Sequence, residues 1–157
     1  MSIASSREIQ IRELRIDDAE AAARLSGELG YPVSEAVMAD RIRSIIDLPD
    51  HASFVASLVH DSAGAQGIVG WIDIGVTYHL QAEKYVEIGG LVVSSTARSL
   101  GVGRLLVARA EKWALERGIP TMHVRSQIAR ERAHRFYLRE GYLRTKTSAV
   151  FSKKLEQ

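Results

Sequence analysis

The residues best suited to chemistry lie between Arg98 and Gly103, where the sequence reads Arg-Ser-Leu-Gly-Val-Gly. Glycines at the start of a helix leave the backbone N–H groups of its first turn open, and those groups together with the helix dipole attract anions. The guanidinium of Arg98 can add a forked pair of donors to the same oxygens. The spacing Arg-x-x-Gly-x-Gly therefore predicts a phosphate-binding turn.

Two better-known phosphate motifs do not fit this stretch. A Walker loop needs Gly-x-x-x-x-Gly-Lys, which the chain lacks, and a dinucleotide fingerprint needs a third glycine where Leu106 stands. The turn must therefore belong to another class of phosphate site.

A buried strand before the turn and an amphipathic helix after it must position these residues. The strand is predicted from a near-continuous run of β-formers, Val86, Ile88, Leu91, Val92 and Val93. From Val102 the apolar period changes to three and four residues, which predicts a helix that Gly118 and Pro120 end.

Two stretches together resemble the GNAT superfamily of N-acetyltransferases. Arg98 to Gly103 is similar to its acyl-CoA-binding motif, Gln/Arg-x-x-Gly-x-Gly/Ala. The run from Ala133 to Tyr142 resembles its second signature, a short helix with an aromatic pair that ends at Gly-Tyr. The likeness is tightest over about residues 66–155, where the chain looks most like aminoalkylphosphonate N-acetyltransferases.

The resemblance implies an α/β protein with the GNAT acyl-CoA N-acyltransferase fold, in which about four helices flank a central mixed β-sheet. It also implies acetyl-CoA as co-substrate and a small-molecule primary amine as acceptor. The chain's own order of patterns is strand, two helices, three strands, helix, strand, helix and strand. We expect one domain over residues 1–157, because this length and 46% apolar residues suffice for a single core.

The resemblance assigns the cofactor contacts to a strand segment, the glycine turn and one residue downstream: Leu91, Val92, Val93, Arg98, Ser99, Leu100, Gly101, Val102, Gly103, Arg104 and Gln127. Gly89 and Gly90 predict a bulge that frees N–H groups near Leu91, or else close packing against Trp113 or another large side chain. Family members commonly have asparagine at the position of Gln127.

Acyl transfer to an amine needs a base for the ammonium proton, donors for the thioester oxygen and an acid for the departing thiolate. The acid is predicted to be Tyr137, because a phenol with a pKa of about 10 can protonate a thiolate. The resemblance supports this role, since Tyr137 matches the family's usual general-acid tyrosine. The alternative is that Phe136 and Tyr137 are simple core aromatics.

The base is predicted to be Glu87, a carboxylate inside an apolar strand, where a charge is costly unless it is paired or used. Histone-acetylating relatives keep a catalytic glutamate at the same offset before the motif arginine. The alternative is a charge at the solvent end of the strand, paired with Lys84 or an arginine.

Composition excludes several other functions. The charges, 21 basic against 19 acidic, give a net charge of +2, and Glu131 and Glu140 interrupt the arginine-rich segment, so nucleic acid is not an expected partner. Without cysteine there is no disulfide, cysteine zinc site or thiol nucleophile, and no metal site is predicted. No membrane span or signal peptide is apparent, so we expect a cytoplasmic protein.

Further expectations concern assembly and local structure. The alternative to an enzyme is a non-catalytic acyl-CoA-binding sensor or interaction module, and many relatives form homodimers through their closing strands. The chain also predicts a hairpin from residues 51–59 and 66–78 and closing strands between Tyr142 and Lys154. Asp17 or Asp18 is expected to cap the first helix.

Overall fold

The structure is a computed structural model that describes residues 8–59 and 66–157. Its contacts divide the chain into two compact units, residues 1–125 and residues 126–157. Each unit is described by itself below. A single domain over residues 1–157 stays a prediction.

The larger unit contains a five-stranded sheet in the order β1-β2-β3-β4-β5. The strands are β1 (Glu8–Glu13), β2 (His51–Val59), β3 (Gln66–Thr77), β4 (Tyr85–Val93) and β5 (Met122–Val124). Neighbours from β1 to β4 are antiparallel, whereas β4 and β5 are parallel. The predicted mixed sheet and the β2–β3 hairpin are confirmed. The connection of the hairpin, residues 60–65, lies outside the described residues.

Three helices belong to the same unit, α1 (Ala19–Leu29), α2 (Glu35–Ile45) and α3 (Val102–Glu116). Short 3-10 turns at Ile16–Asp18 and Ser95–Ala97 precede α1 and α3. The Ser34 hydroxyl caps α2 by accepting from the backbone N–H of Val37 at 3.2 Å. With α4 (Glu131–Arg139) in the smaller unit, the described chain has the four α-helices that the sequence predicts.

Helix α3 buries the apolar stripe that its sequence period predicts. The buried side chains of this stripe are Val102, Leu106, Val107, Ala110, Trp113 and Ala114. Val102, the first helical residue, is itself part of the core, so the buried stripe begins at the start of the helix. No helix among the described residues has the length and apolar character needed to cross a membrane.

Asp18 is the N-cap residue of α1, as predicted, but its side chain makes no capping hydrogen bond. Its carboxylate instead accepts both guanidinium N–H groups of Arg12 at 2.8 Å each, and the backbone N–H of Arg15 at 2.8 Å. A two-pronged charged bond is stronger than a single bond to a helix N–H, which explains the choice of partner. The pair joins β1 to the start of α1.

The smaller unit contains α4 and no strand, so the predicted closing strands between Tyr142 and Lys154 are wrong. Four large apolar side chains after Tyr142 are mostly exposed: Leu143, Val150, Phe151 and Leu155. A strand exists only where another strand accepts its hydrogen bonds, and the described chain supplies none here.

Candidate active site

The turn before α3 has a backbone suited to presenting N–H groups to a ligand. Arg98 is extended, with φ −63° and ψ 147°, and Ser99 has a left-handed φ of 72°. Gly101 precedes α3 with φ 81° and ψ 14°, a conformation that costs a side chain about 1–2 kcal/mol. The left-handed backbone conformation at position 101 therefore explains why this residue is glycine.

The N-cap residue of α3 is Gly101, which has no side chain to bond the N–H groups of the first turn. The N–H of Leu105 donates to the Gly101 carbonyl at 3.1 Å. The N–H groups of Val102, Gly103 and Arg104 come before this first donor and therefore have no intrahelical acceptor. Arg98, Ser99, Leu100 and Arg104 are exposed around them. Open donors, a positive dipole end and two nearby guanidinium groups fit the pyrophosphate of CoA.

Strand β4 is paired with β5 over only three residue pairs, from Val86 with Met122 to Ile88 with Val124. Beyond Ile88, β4 continues to Val93, and no described strand pairs with its β5 side there. This stretch contains the predicted cofactor residues Leu91, Val92 and Val93. Its open backbone edge fits the amide-bearing arm of CoA.

The predicted bulge is confirmed at Gly89, where the register with β3 shifts between Asp73 and Ile74. Gly90 is explained by a close approach, because a Cβ there would lie 2.8 Å and 3.0 Å from two ring carbons of Trp71. From the sequence, the bulge and the close packing are alternative predictions for Gly89 and Gly90, and both occur. The large side chain is Trp71 rather than Trp113.

Glu87 forms an ion pair with an arginine, as expected under the alternative to a catalytic role. Its Oε1 accepts from Nε of Arg125 at 3.0 Å, and its Oε2 lies 3.5 Å from the Thr77 hydroxyl. The partner is thus an arginine and not Lys84. Because a guanidinium remains charged, the pair neutralises the carboxylate at this end of β4.

Three aromatic rings lie beside this pair. The buried Tyr85 ring stacks on His123 at 3.9 Å between centroids, and its hydroxyl lies 3.1 Å from Nε2 of His79. A hydrogen bond with Tyr85 and the charge of Glu87 raise the pKa of Arg125.

Tyr137 lies in the smaller unit on α4. Its ring meets Phe136 and Tyr142 edge-on, with centroids 5.2 Å and 5.8 Å away. Burial raises the pKa of the Tyr137 phenol, and the charge of Arg130 opposes that rise in part. The phenol is therefore protonated throughout the neutral range, as an acid must be. Gln127 is exposed in the same unit.

A carboxylate that no sequence pattern indicated lies next to the bulge. Asp73 on β3 lies opposite Ser53 on β2, and its Oδ1 accepts from the Ser53 hydroxyl at 2.7 Å. Nε2 of His51 lies 2.8 Å from the same oxygen. Only the register of the hairpin joins these residues, so no local motif could have indicated them.

Comparison with known proteins agrees with this geometry. The curated aminoalkylphosphonate N-acetyltransferase of Salmonella typhimurium is 40% identical over 76 residues. The alignment covers 48% of this chain, and the chain spans only 49% of the length of that relative.

Solved structures share the fold over nearly the whole chain. An aminoglycoside N-acetyltransferase in complex with CoA superposes with a TM-score of 0.82 and 18% identity, covering 98% of this chain and all of the other. An aminoglycoside 6'-N-acetyltransferase from Acinetobacter baumannii gives a TM-score of 0.80 at 18% identity, covering 95% and 100% of the two chains.

A family model decides the assignment. The model described as the acetyltransferase (GNAT) family matches residues 11–142, which include the glycine turn, the bulged strand and α4. The chain belongs to the GNAT acetyltransferase family.

Proposed function

We propose that this protein is an acetyl-CoA-dependent N-acetyltransferase that acts on a primary amine of a small molecule. The observation that carries the proposal is the start of α3, where Gly101 leaves the N–H groups of the first turn open. Beside it lies the bulged strand β4, whose β5-side edge has no partner among the described strands beyond Ile88. These features offer donors for the phosphates and the amide-bearing arm of CoA in one chain of the GNAT family.

Acetyl-CoA supplies an activated acetyl thioester. The amine nitrogen bonds to the acetyl carbon in a ternary complex as the carbon–sulfur bond breaks, so no nucleophile of the protein is needed. The nitrogen's proton passes to a base, proposed to be Glu87 directly or through water, and the sulfur receives the Tyr137 hydroxyl proton. The amides around Leu91 are proposed to donate to the thioester oxygen.

The mechanism is tested by two substitutions that remove one proton carrier each. Tyr137→Phe should lower turnover by about 10²- to 10⁴-fold while leaving acetyl-CoA binding intact. Wild-type turnover with saturating amine would exclude the tyrosine as the acid. For Glu87→Gln, activity retained above and below neutral pH would transfer the base to another group.

The acceptor is proposed from the relatives, with aminoalkylphosphonates first and aminoglycosides second. Release of CoASH from acetyl-CoA, followed with a thiol reagent across a set of primary amines, measures this preference. Mass spectrometry of the product then shows whether the amine gained an acetyl group. Acetyl-CoA binding without CoASH release for any amine would favour the alternative, a non-catalytic acyl-CoA-binding sensor or interaction module.

A homodimer through the last segment of the chain is also proposed. Its support is the group of exposed apolar side chains after Tyr142, among which Phe151 is 92% exposed and Leu155 is 77% exposed. A strand-like sequence without a partner can pair with a second copy. Sedimentation should give a dimer that Phe151→Ser weakens, and a monomer at high concentration would contradict the proposal.

A further inference from the structure

We propose that Asp73 binds the ammonium group of the acceptor amine, with His51 and Ser53 as the residues that position its carboxylate. The inference rests on the proposed function, because it assigns the acceptor's place in the same site. It is carried by contacts within the larger unit alone.

The carboxylate of Asp73 is held at one oxygen and open at the other. Both neighbours, the Ser53 hydroxyl at 2.7 Å and Nε2 of His51 at 2.8 Å, contact Oδ1. Among residues 8–59 and 66–157, no side chain or backbone donor bonds to Oδ2. The side chain is 35% exposed, so a ligand can reach the open oxygen.

The open oxygen faces the bulge in β4. A Cβ built on Gly89 would lie 3.2 Å from Oδ2 of Asp73, and Gly89 itself is exposed. The amides that follow the bulge are those proposed to hold the thioester. An ammonium group on Oδ2 therefore lies beside the strand segment where the acetyl group is proposed to bind.

Charge distinguishes Asp73 from Glu87 on the neighbouring strand. Glu87 already has a cation, since Arg125 donates to it at 3.0 Å. The described partners of Asp73 are a hydroxyl and an imidazole, and an imidazole can donate an N–H without carrying a charge. Asp73 is thus the carboxylate of this sheet region whose negative charge is available to an incoming ammonium.

Trp71 provides an apolar wall next to this carboxylate. It lies two residues before Asp73 on β3, so the two side chains share a face of the sheet. Its ring edge covers Gly90, and its Nε1 donates to the carbonyl of Ala22 in α1 at 3.3 Å. A carboxylate beside a fixed aromatic ring suits an ammonium group on a carbon chain.

The test measures amine binding directly, without turnover. Protein with labelled histidines is titrated with 2-aminoethylphosphonate, kanamycin A and spermidine, and the ring signals of His51, assigned by their loss in His51→Asn, are followed by NMR. We expect at least one probe to move those signals in the wild type. Asp73→Asn should then weaken that probe's binding by about 10- to 100-fold, as measured calorimetrically, because a charged hydrogen bond is lost.

Two controls separate a binding role from a structural one. Asp17→Asn removes an exposed carboxylate of the same type and should leave the probe's affinity unchanged. Ser53→Ala keeps the carboxylate but removes one of its supports, so its effect should be smaller than that of Asp73→Asn. If Asp73→Asn lowers the melting temperature but not the affinity, Asp73 is only structural and the proposal is wrong.

The remaining outcomes are also decisive. Failure of all three probes to move the His51 signals at about 10 mM would overturn the proposal, since even a weak site has millimolar affinity. Probe binding that depends on Asp73, in a protein that transfers no acetyl group, would keep the ammonium site and reject the proposed enzymatic function.

Discussion

Gly90→Ala should destabilise the protein through a clash that can be located to one ring. The new methyl group would lie 2.8 Å and 3.0 Å from two carbons of Trp71, whereas carbon atoms pack at about 3.5–4.0 Å. The ring must therefore retreat by roughly 0.7 Å. It is tied to α1 through the bond from its Nε1 to the Ala22 carbonyl, so it cannot move freely.

Overpacking of this kind costs about 1–3 kcal/mol. For a chain of 157 residues, unfolding entropy makes each kcal/mol worth roughly 3 °C in melting temperature. Gly90→Ala is thus expected to melt about 3–9 °C below the wild type in a calorimetric scan. Gly67→Ala is the matched control in the same sheet, because a Cβ there meets nothing within 4 Å.

A double-mutant cycle identifies the cause. Trp71→Phe shortens the ring at its clashing edge, so Gly90→Ala should cost less in that background, with a coupling of about 1 kcal/mol or more. Equal melting temperatures for Gly90→Ala and Gly67→Ala would refute the reasoning. So would a cost that is the same with either aromatic ring.

Two other substitutions and one pH profile follow from the described residues. Ser99→Gly should stabilise the protein by up to about 1 kcal/mol, measured by urea unfolding, because it relieves a left-handed φ of 72°; destabilisation would show that the serine side chain matters more. Asp18→Asn should cost about 3 kcal/mol at neutral pH, since it leaves Arg12 unpaired. Burial favours a higher pKa for Asp18, but Arg12 and the Arg15 N–H outweigh it and hold the pKa below its usual value. The cost should be full above pH about 4 and shrink as the pH falls through the lowered pKa, and a pH-independent cost would contradict this. The raised pKa of Tyr137 predicts that turnover shows no alkaline loss from this group below pH about 10, and a Tyr137-dependent loss near pH 8 would contradict it.

Local patterns were enough to predict the elements that are proposed to hold the cofactor. The change of apolar period at Val102 located α3, and the paired glycines located the bulge in β4. Both features depend on neighbouring residues in the sequence, where propensity and turn chemistry act.

Features that depend on register were not predictable. Extending the pairing of Val59 with Gln66 along the hairpin would place Ser53 opposite Ile72, but a shift between Ala56 and Ser57 places it opposite Asp73. A slip of one residue exchanges the faces of the sheet, so the group around Asp73 could not be foreseen. The closing strands were predicted wrongly because a strand also needs a pairing partner, which the local sequence does not identify.

The pairing partner of Glu87 was also not predictable from the local sequence. Its position in an apolar strand indicated either use or pairing, and the sequence did not identify Arg125 as the pair. That arginine follows β5, and the parallel register of Glu87 with His123 brings it near. The charge environment of Glu87 therefore depends on a residue that is far away in the sequence and is brought near by strand pairing.

Acetyl-CoA binding at the start of α3 is the most direct test of the account. Wild-type protein and Gly103→Asp are melted with and without acetyl-CoA, beside Ala108→Asp, which adds the same charge to an exposed position of the same helix. At about 100 times Kd, binding should stabilise the wild type and the control by about 2.7 kcal/mol, or roughly 8 °C. Gly103→Asp should lose this shift, because its carboxylate occupies and repels the anion site. An equal shift in all three proteins, or none in the wild type at millimolar acetyl-CoA, would contradict the account.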